Sequence, residues 1–235
     1  MDLLEALHIP NEGKMVISVV GAGGKTSCME KLKEQLVAKG KRVIITTTTQ
    51  MYLPTRHVVL NEDMNAIKST LNRDGFVIVG TKANEEKMKG VSQACFLQLL
   101  LISDVLLVEA DGSRRLPIKF PATFEPVIRE QTNRVIVVTG IDSVGKKISE
   151  VCHRFELAKQ ILKVEEDHLL DEKDVAVLIY KGYLENRNMN QAHTVFLNKV
   201  DTKRQDQMAD TVLKYIEEME HTQSILLKKG RLMQS

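Results

Sequence analysis

The run Met15–Val20 (MVISVV) is short, β-branched and apolar. It ends on Gly21-Ala22-Gly23-Gly24-Lys25-Thr26-Ser27, after which Met29, Leu32 and Leu36 recur on one helical face. A strand that turns through three glycines into a helix narrows the choice of folds. The turn aims backbone amides into a concavity at the positive end of a helix, an arrangement at home in α/β domains. The rest of the chain agrees. Arg42–Thr47, Phe76–Gly80, Val105–Glu109, Arg134–Thr139, Thr194–Leu197 and Ser224–Leu227 read as strands. Helical patterns fall at Thr26–Lys39, Met64–Leu71, Ser92–Ile102, Phe155–Lys163, Asp174–Tyr180 and Thr202–Met219. Several strands are apolar without alternation, as expected when helices cover both faces of a parallel sheet. The expectation is a doubly wound, mainly parallel α/β sheet. It would form a three-layer sandwich like that of the P-loop nucleoside triphosphate hydrolases, as a single nucleotide-binding domain over residues 1–235.

Composition removes other classes. Lys plus Arg number 33 and Asp plus Glu 31, a net charge of +2, which is a poor basis for binding nucleic acid. Aromatics are 4% with no Trp, so stacking platforms for single strands are not expected. Cys28, Cys95 and Cys152 are widely spaced and form no C-x-x-C, which fits a reducing cytoplasm and no disulfide framework. No run is long enough to span a membrane. The start, MDLLEALHIP, lacks the basic region of a signal peptide. No histidine pair has H-x-x-x-H spacing, so no zinc site is expected.

The glycine turn reads as a phosphate cradle. Gly21, Ala22, Gly23, Gly24, Lys25, Thr26 and Ser27 would supply amides, Lys25 would reach the β- and γ-phosphates, and the Thr26 hydroxyl would ligate Mg²⁺. The loop is a shortened form of G-x-x-x-x-G-K-[ST], because Val19 stands where the first glycine should fall. A dinucleotide fingerprint fits worse: Thr26 occupies its last glycine, and the second strand ends in Thr46–Thr49 rather than an acid.

Further along, a strand runs into Asn198-Lys199-Val200-Asp201, the N-K-x-D pattern by which GTPases read guanine. The Asp201 carboxylate can accept from guanine N1–H and its exocyclic amine together, a pairing adenine does not offer. The Lys199 stem can cover the base, and Asn198 can brace the loop. The plain alternative is that Asp201 or Thr202 simply caps the last helix.

Val105–Gly112 is an apolar strand ending in two carboxylates, Glu109 and Asp111, which point to the same side and could flank one Mg²⁺, directly or through water. Arg114, Arg115 and Lys119 follow and could neutralise phosphate charge. They lie in a proline-rich stretch, residues 112–127, that reads as a functional loop or else a surface crossover. The hydroxyls of Thr46 to Thr49 could order magnesium waters or the attacking water, or the threonines could reflect β-propensity alone. His153 and Arg154 read as a polar helix start more than a substrate contact.

Taken together, V-x-G-A-G-G-K-T-S, T-T-T-T-Q-M-Y-L-P, V-E-A-D-G-S-R-R-L-P-I-K and L-N-K-V-D resemble the YqeC-like family. Its members are accessory proteins of selenium-dependent molybdenum hydroxylases. The resemblance implies a P-loop nucleotide-binding protein acting on a molybdoenzyme client, in selenium or cofactor insertion. The loop is also similar to that of the Mur ligases, which are ATP enzymes. The leading expectation is a Mg²⁺-dependent GTP-binding protein and slow GTPase, with Lys25, Glu109, Asp111, Arg114 and Arg115 around the reacting phosphate. One alternative is an ATP-dependent ligase or kinase acting on a small acidic substrate. Another is a non-catalytic, nucleotide-gated adaptor.

Overall fold

The computed structural model describes residues 2–10, 13–220 and 225–230. Its centre is an eight-stranded sheet of β1 (Met15–Gly21), β2 (Val43–Thr47), β3 (Val58–Val59), β4 (Phe76–Val79), β5 (Val105–Glu109), β6 (Arg134–Gly140), β7 (Ala192–Asn198) and β8 (Ile225–Lys229). The order is β8-β7-β6-β1-β5-β2-β4-β3, and every neighbouring pair is parallel. The expected doubly wound α/β fold is therefore present. β1 lies between β5 and β6, which the chain reaches much later. The loops after β1 and β5 consequently open side by side at the carboxyl ends of the strands, where such sheets bind ligands.

The larger helices are α1 (Lys25–Ala38), α2 (Met64–Asp74), α3 (Gln93–Ile102), α4 (Phe155–Leu162), α5 (Glu172–Ile179) and α6 (Lys203–Met219). Side chains alternate across each strand, so neighbouring residues serve different layers. Ile17, Val19, Ile45 and Leu107 face α1 and a short helix at Leu3–Ala6, meeting Cys28, Met29, Leu32 and Leu36. On the opposite face, Val16, Ile44, Leu106 and Val108 pack against α2 and α3. Val20, Val137, Val195 and Leu197 pack on that same side against α4, α5 and α6. Among the described residues the sandwich is lopsided, with α1 and the short Leu3–Ala6 helix on one face and α2 to α6 on the other. No helix among the described residues is long and apolar enough to cross a membrane.

Most expected elements recur within a few residues of their sequence bounds. Ser224, expected to open the last strand, lies outside the described residues; β8 is described from Ile225. α5 begins earlier than expected because Asp171 caps it, in a reciprocal box with Asp174, and its end continues as a π-helical turn over Tyr180–Leu184. A small antiparallel sheet of Gln50–Tyr52, Lys87–Lys89 and Thr81–Lys82 was not expected, since its strands are too short to show a period. Residues 112–127 are only partly at the surface, with Arg114, Arg115, Thr123, Phe124 and Val127 exposed. Ile118 and Lys119 pair with Cys152 and His153, and Ile118, Lys119, Pro121 and Ala122 are buried.

Leu107 is fully buried in β5 between β1 and β2. Leu107→Ala is expected to cost about 2–5 kcal/mol of stability, read as a lowered urea midpoint with an unchanged m-value.

Candidate functional site

The glycine loop is held open by close backbone packing. Gly23 has φ +72°, and a Cβ there would lie 2.2 Å from the Gly140 nitrogen and 2.5 Å from the Pro117 oxygen. Any other residue would push the loop off β6 and off the 112–127 segment. Two backbone bonds stitch the loop down: Ala22 N–H donates to Val138 O at 2.8 Å, and Gly23 N–H donates to Leu116 O at 2.9 Å. Gly23 thus spends its amide inside the protein. α1 begins after Gly24, and no side chain caps it. The amides of its first turn (Lys25, Thr26, Ser27) have no acceptor within the helix, and Thr26 is exposed.

Lys25 is buried, with 3% exposure, and its ammonium is turned inward. It donates to Gly21 O at 2.7 Å and lies 3.1 Å from Asp111 Oδ1 and 4.0 Å from a Glu109 oxygen. The expectation that Glu109 and Asp111 share one side of the strand end holds, since both face this ammonium. Their surroundings differ. Asp111 is fully buried, and its Oδ2 accepts from Gly21 N–H and Tyr183 O–H, each at 3.0 Å, with Lys119 at 3.3 Å. So engaged, it anchors Lys25 and the loop, while its Oδ1 faces the Lys25 ammonium. Burial and the adjoining Asp111 push the Tyr183 phenol well above its ordinary pKa, so it stays protonated and donates.

Lys119 departs further from its expected place. Its side chain is enclosed, donating to Gly112 O at 2.7 Å and pairing with Glu125 at 2.9 Å as well as Asp111. Burial raises the Glu125 pKa, but hydrogen bonds from Lys119 and Arg154 outweigh it and leave the carboxyl below its usual range. Lys119 therefore serves the 112–127 segment and is closed to a substrate. Two of the threonines are similarly occupied, Thr47 donating to Glu109 O at 2.8 Å and Thr48 to Val127 O at 2.7 Å, whereas the buried Thr46 hydroxyl has no hydrogen-bond partner among the described residues. Cys28 is buried, and desolvation pushes its thiol up to about 12, so it is no nucleophile at neutral pH.

The Asn198–Asp201 tetrapeptide meets the loop directly. Asn198 Nδ2 donates to Gly23 O at 2.8 Å, the bracing the sequence suggested. Lys199 has φ +63° and its ammonium sits 2.9 Å from Asp142 Oδ2. The N-cap of α6 is Thr202, in a reciprocal box with Gln205, so the helix start is accounted for without the Asp201 side chain.

Glu109, unlike Asp111, lines an open cavity, together with Thr26, Gly112, Arg114, Arg115 and His153. Desolvation raises the Glu109 pKa; Lys25 opposes the rise, Asp111 adds to it and Lys119 opposes it. His153, which precedes the Arg154 N-cap of α4, also lines this cavity, with Nδ1 3.1 Å from Gly112 O. Burial, then Lys119 and Arg154, lower its pKa and favour the neutral ring. Tyr183 and Lys119 could not have been placed by pattern, because their partnership with Asp111 joins segments far apart in the chain.

The family described as YqeC protein matches residues 17–156. The uncharacterized protein YqeC of Escherichia coli (strain K12) is 38% identical over 193 residues, which cover 78% of this chain and 75% of that protein. This chain belongs to the YqeC family. The matched YqeC region contains the glycine loop, Glu109, Asp111 and the 112–127 segment, and it ends before Asn198. Among solved structures, chloroplast FtsY from Physcomitrella patens superposes with a TM-score of 0.50 at 16% identity. The superposition covers 97% of this chain but only 62% of that one, and at this identity the likeness is one of fold.

Glu109 generates a pH prediction. Between its unfolded pKa and its raised folded one, the native state holds the extra proton, so this group's contribution to stability falls as pH rises through that window. Glu109→Gln removes the slope. Its urea midpoint is expected to exceed that of the wild type at about pH 8 and to converge with it near pH 4, below the ordinary glutamate pKa.

Proposed function

We propose that this chain is a Mg²⁺-dependent GTP-binding protein and a slow GTPase. The observation that carries the reading is the 2.8 Å bond from Asn198 to Gly23 O, which joins the N-K-V-D segment to the glycine loop. Two motifs remote in sequence thereby meet at the carboxyl end of the sheet. A nucleotide laid along it would place its phosphates over the first turn of α1 and its base beside Asp201.

In this reading Lys25 exchanges Asp111 for the β- and γ-phosphate oxygens. Asp111 remains neutralised by Lys119, which lies 3.3 Å away, so the exchange strands no bare carboxylate. Magnesium suits the donors present. The exposed Thr26 hydroxyl and the Glu109 carboxylate line one cavity, and Mg²⁺ is commonly held by one or two protein oxygens plus phosphates and waters. When bound, the ion would neutralise charge on the phosphate oxygens. Asp201 would select guanine by its paired donors. Slow turnover accords with a site that a client completes. Following the family resemblance, that client is a molybdenum hydroxylase undergoing maturation.

Calorimetry with Mg²⁺ and a panel of purine triphosphates tests the reading. GTP is expected to bind about tenfold or more tighter than ATP, and Asp201→Asn is expected to shift preference toward xanthosine triphosphate. Lys25→Ala is expected to abolish binding while retaining a cooperative thermal transition. Equal affinity for ATP and GTP, unmoved by Asp201→Asn, would remove the guanine assignment.

A further inference from the structure

Sheet order gives a nucleotide in this site a direction. Asn198 ends β7, on one flank of β1, while β5, β2 and β4 lie on the other. A base beside Asp201 and phosphates over the loop after β1 leave the terminal phosphate pointing toward β5. On that side opens a cavity of about 600 Å³, whose lining includes none of Gly21–Gly24 or Asn198–Asp201. Its near rim is Thr26, Glu109 and Gly112, next to the expected terminal phosphate. Its apolar wall is Met29, Ile45, Met51, Leu53 and Ile78.

The outer rim is cationic and arranged. The Arg115 guanidinium lies 4.6 Å and the Lys87 ammonium 5.7 Å from the centre of the Tyr52 ring, so one aromatic side chain gathers both charges at the mouth. Arg114 and Arg115 have φ of +51° and +62°. Two consecutive non-glycine residues in the left-handed region are uncommon, and such conformations concentrate at functional segments. Glu30 and Glu109 are the carboxylates of the lining, against Arg114, Arg115 and Lys87.

We propose that this cavity binds a second ligand, a small organic oxyanion with an apolar body, seated beside the terminal phosphate. The arginines and Lys87 would hold a carboxylate or phosphate ester group. The methionine-lined wall would cover the body, and the volume suits a ligand of drug-like size. The position beside the terminal phosphate rests on the GTP reading; the ligand chemistry rests on the cavity's own walls.

The test uses 8-anilinonaphthalene-1-sulfonate, an aromatic sulfonate, titrated by fluorescence into the full chain with and without GTP and Mg²⁺. One saturable site is expected, weakened about tenfold by Arg115→Glu and by Lys87→Glu, with thermal midpoints near wild type and GTP affinity of Lys87→Glu unchanged. Phenyl phosphate and benzoate, as non-fluorescent competitors, separate the two headgroups. Dye binding that neither substitution weakens, or no saturable binding, overturns the proposal. If GTP fails to bind while both substitutions still weaken the dye, the cavity assignment survives and the nucleotide reading falls. If GTP binds and the dye ignores both substitutions, the reverse holds.

Discussion

The arrangement around the glycine loop depends on one buried carboxylate. Asp111 receives the Gly21 amide, the Tyr183 hydroxyl and the charges of Lys25 and Lys119 at a position with no solvent access. A buried anion is tolerable only when paired and hydrogen-bonded on this scale. Through it, the end of β1, the end of β5, the 112–127 segment and the π-helical turn after α5 are fixed to a common point. The loop therefore does not hold its shape by glycine content alone. Glycine allows the approach of Gly140 and Pro117, and the carboxylate secures it.

Around that point the carboxylates have separate duties. Asp111 faces inward and Glu109 faces the cavity, although they are two residues apart on one side of the same strand end. Burial raises the Glu109 pKa, and the Lys25 ammonium at 4.0 Å only partly opposes the rise. Strand geometry sets which residue points where, and the ion pairs decide which is available for chemistry.

Much of this was legible in the chain. Apolar strands without alternation announced a sheet covered on both sides, and the glycine turn announced where the first helix starts. Asn198 was readable as a brace because its neighbours formed a recognised tetrapeptide. Lys119 was not, since a lysine in a proline-rich stretch looks solvated until Glu125, Asp111 and Gly112 are seen closing around it. The cavity was likewise invisible. Its walls come from the short Gln50–Tyr52 and Lys87–Lys89 strands, which carry no usable period, and from His153, whose sequence neighbours suggested a helix start.

The uneven layering links the far end of the domain to the loop. Leu3, Leu4 and Leu7 share the core in which the buried face of the long helix packs, and the Leu3 amide donates to the Gln35 side chain at 2.8 Å. That helix carries Lys25 and Thr26 on its first turn. The opening residues are thus part of the mounting of the phosphate-facing loop, and whatever lifts them would be felt at the opposite end of the same rod.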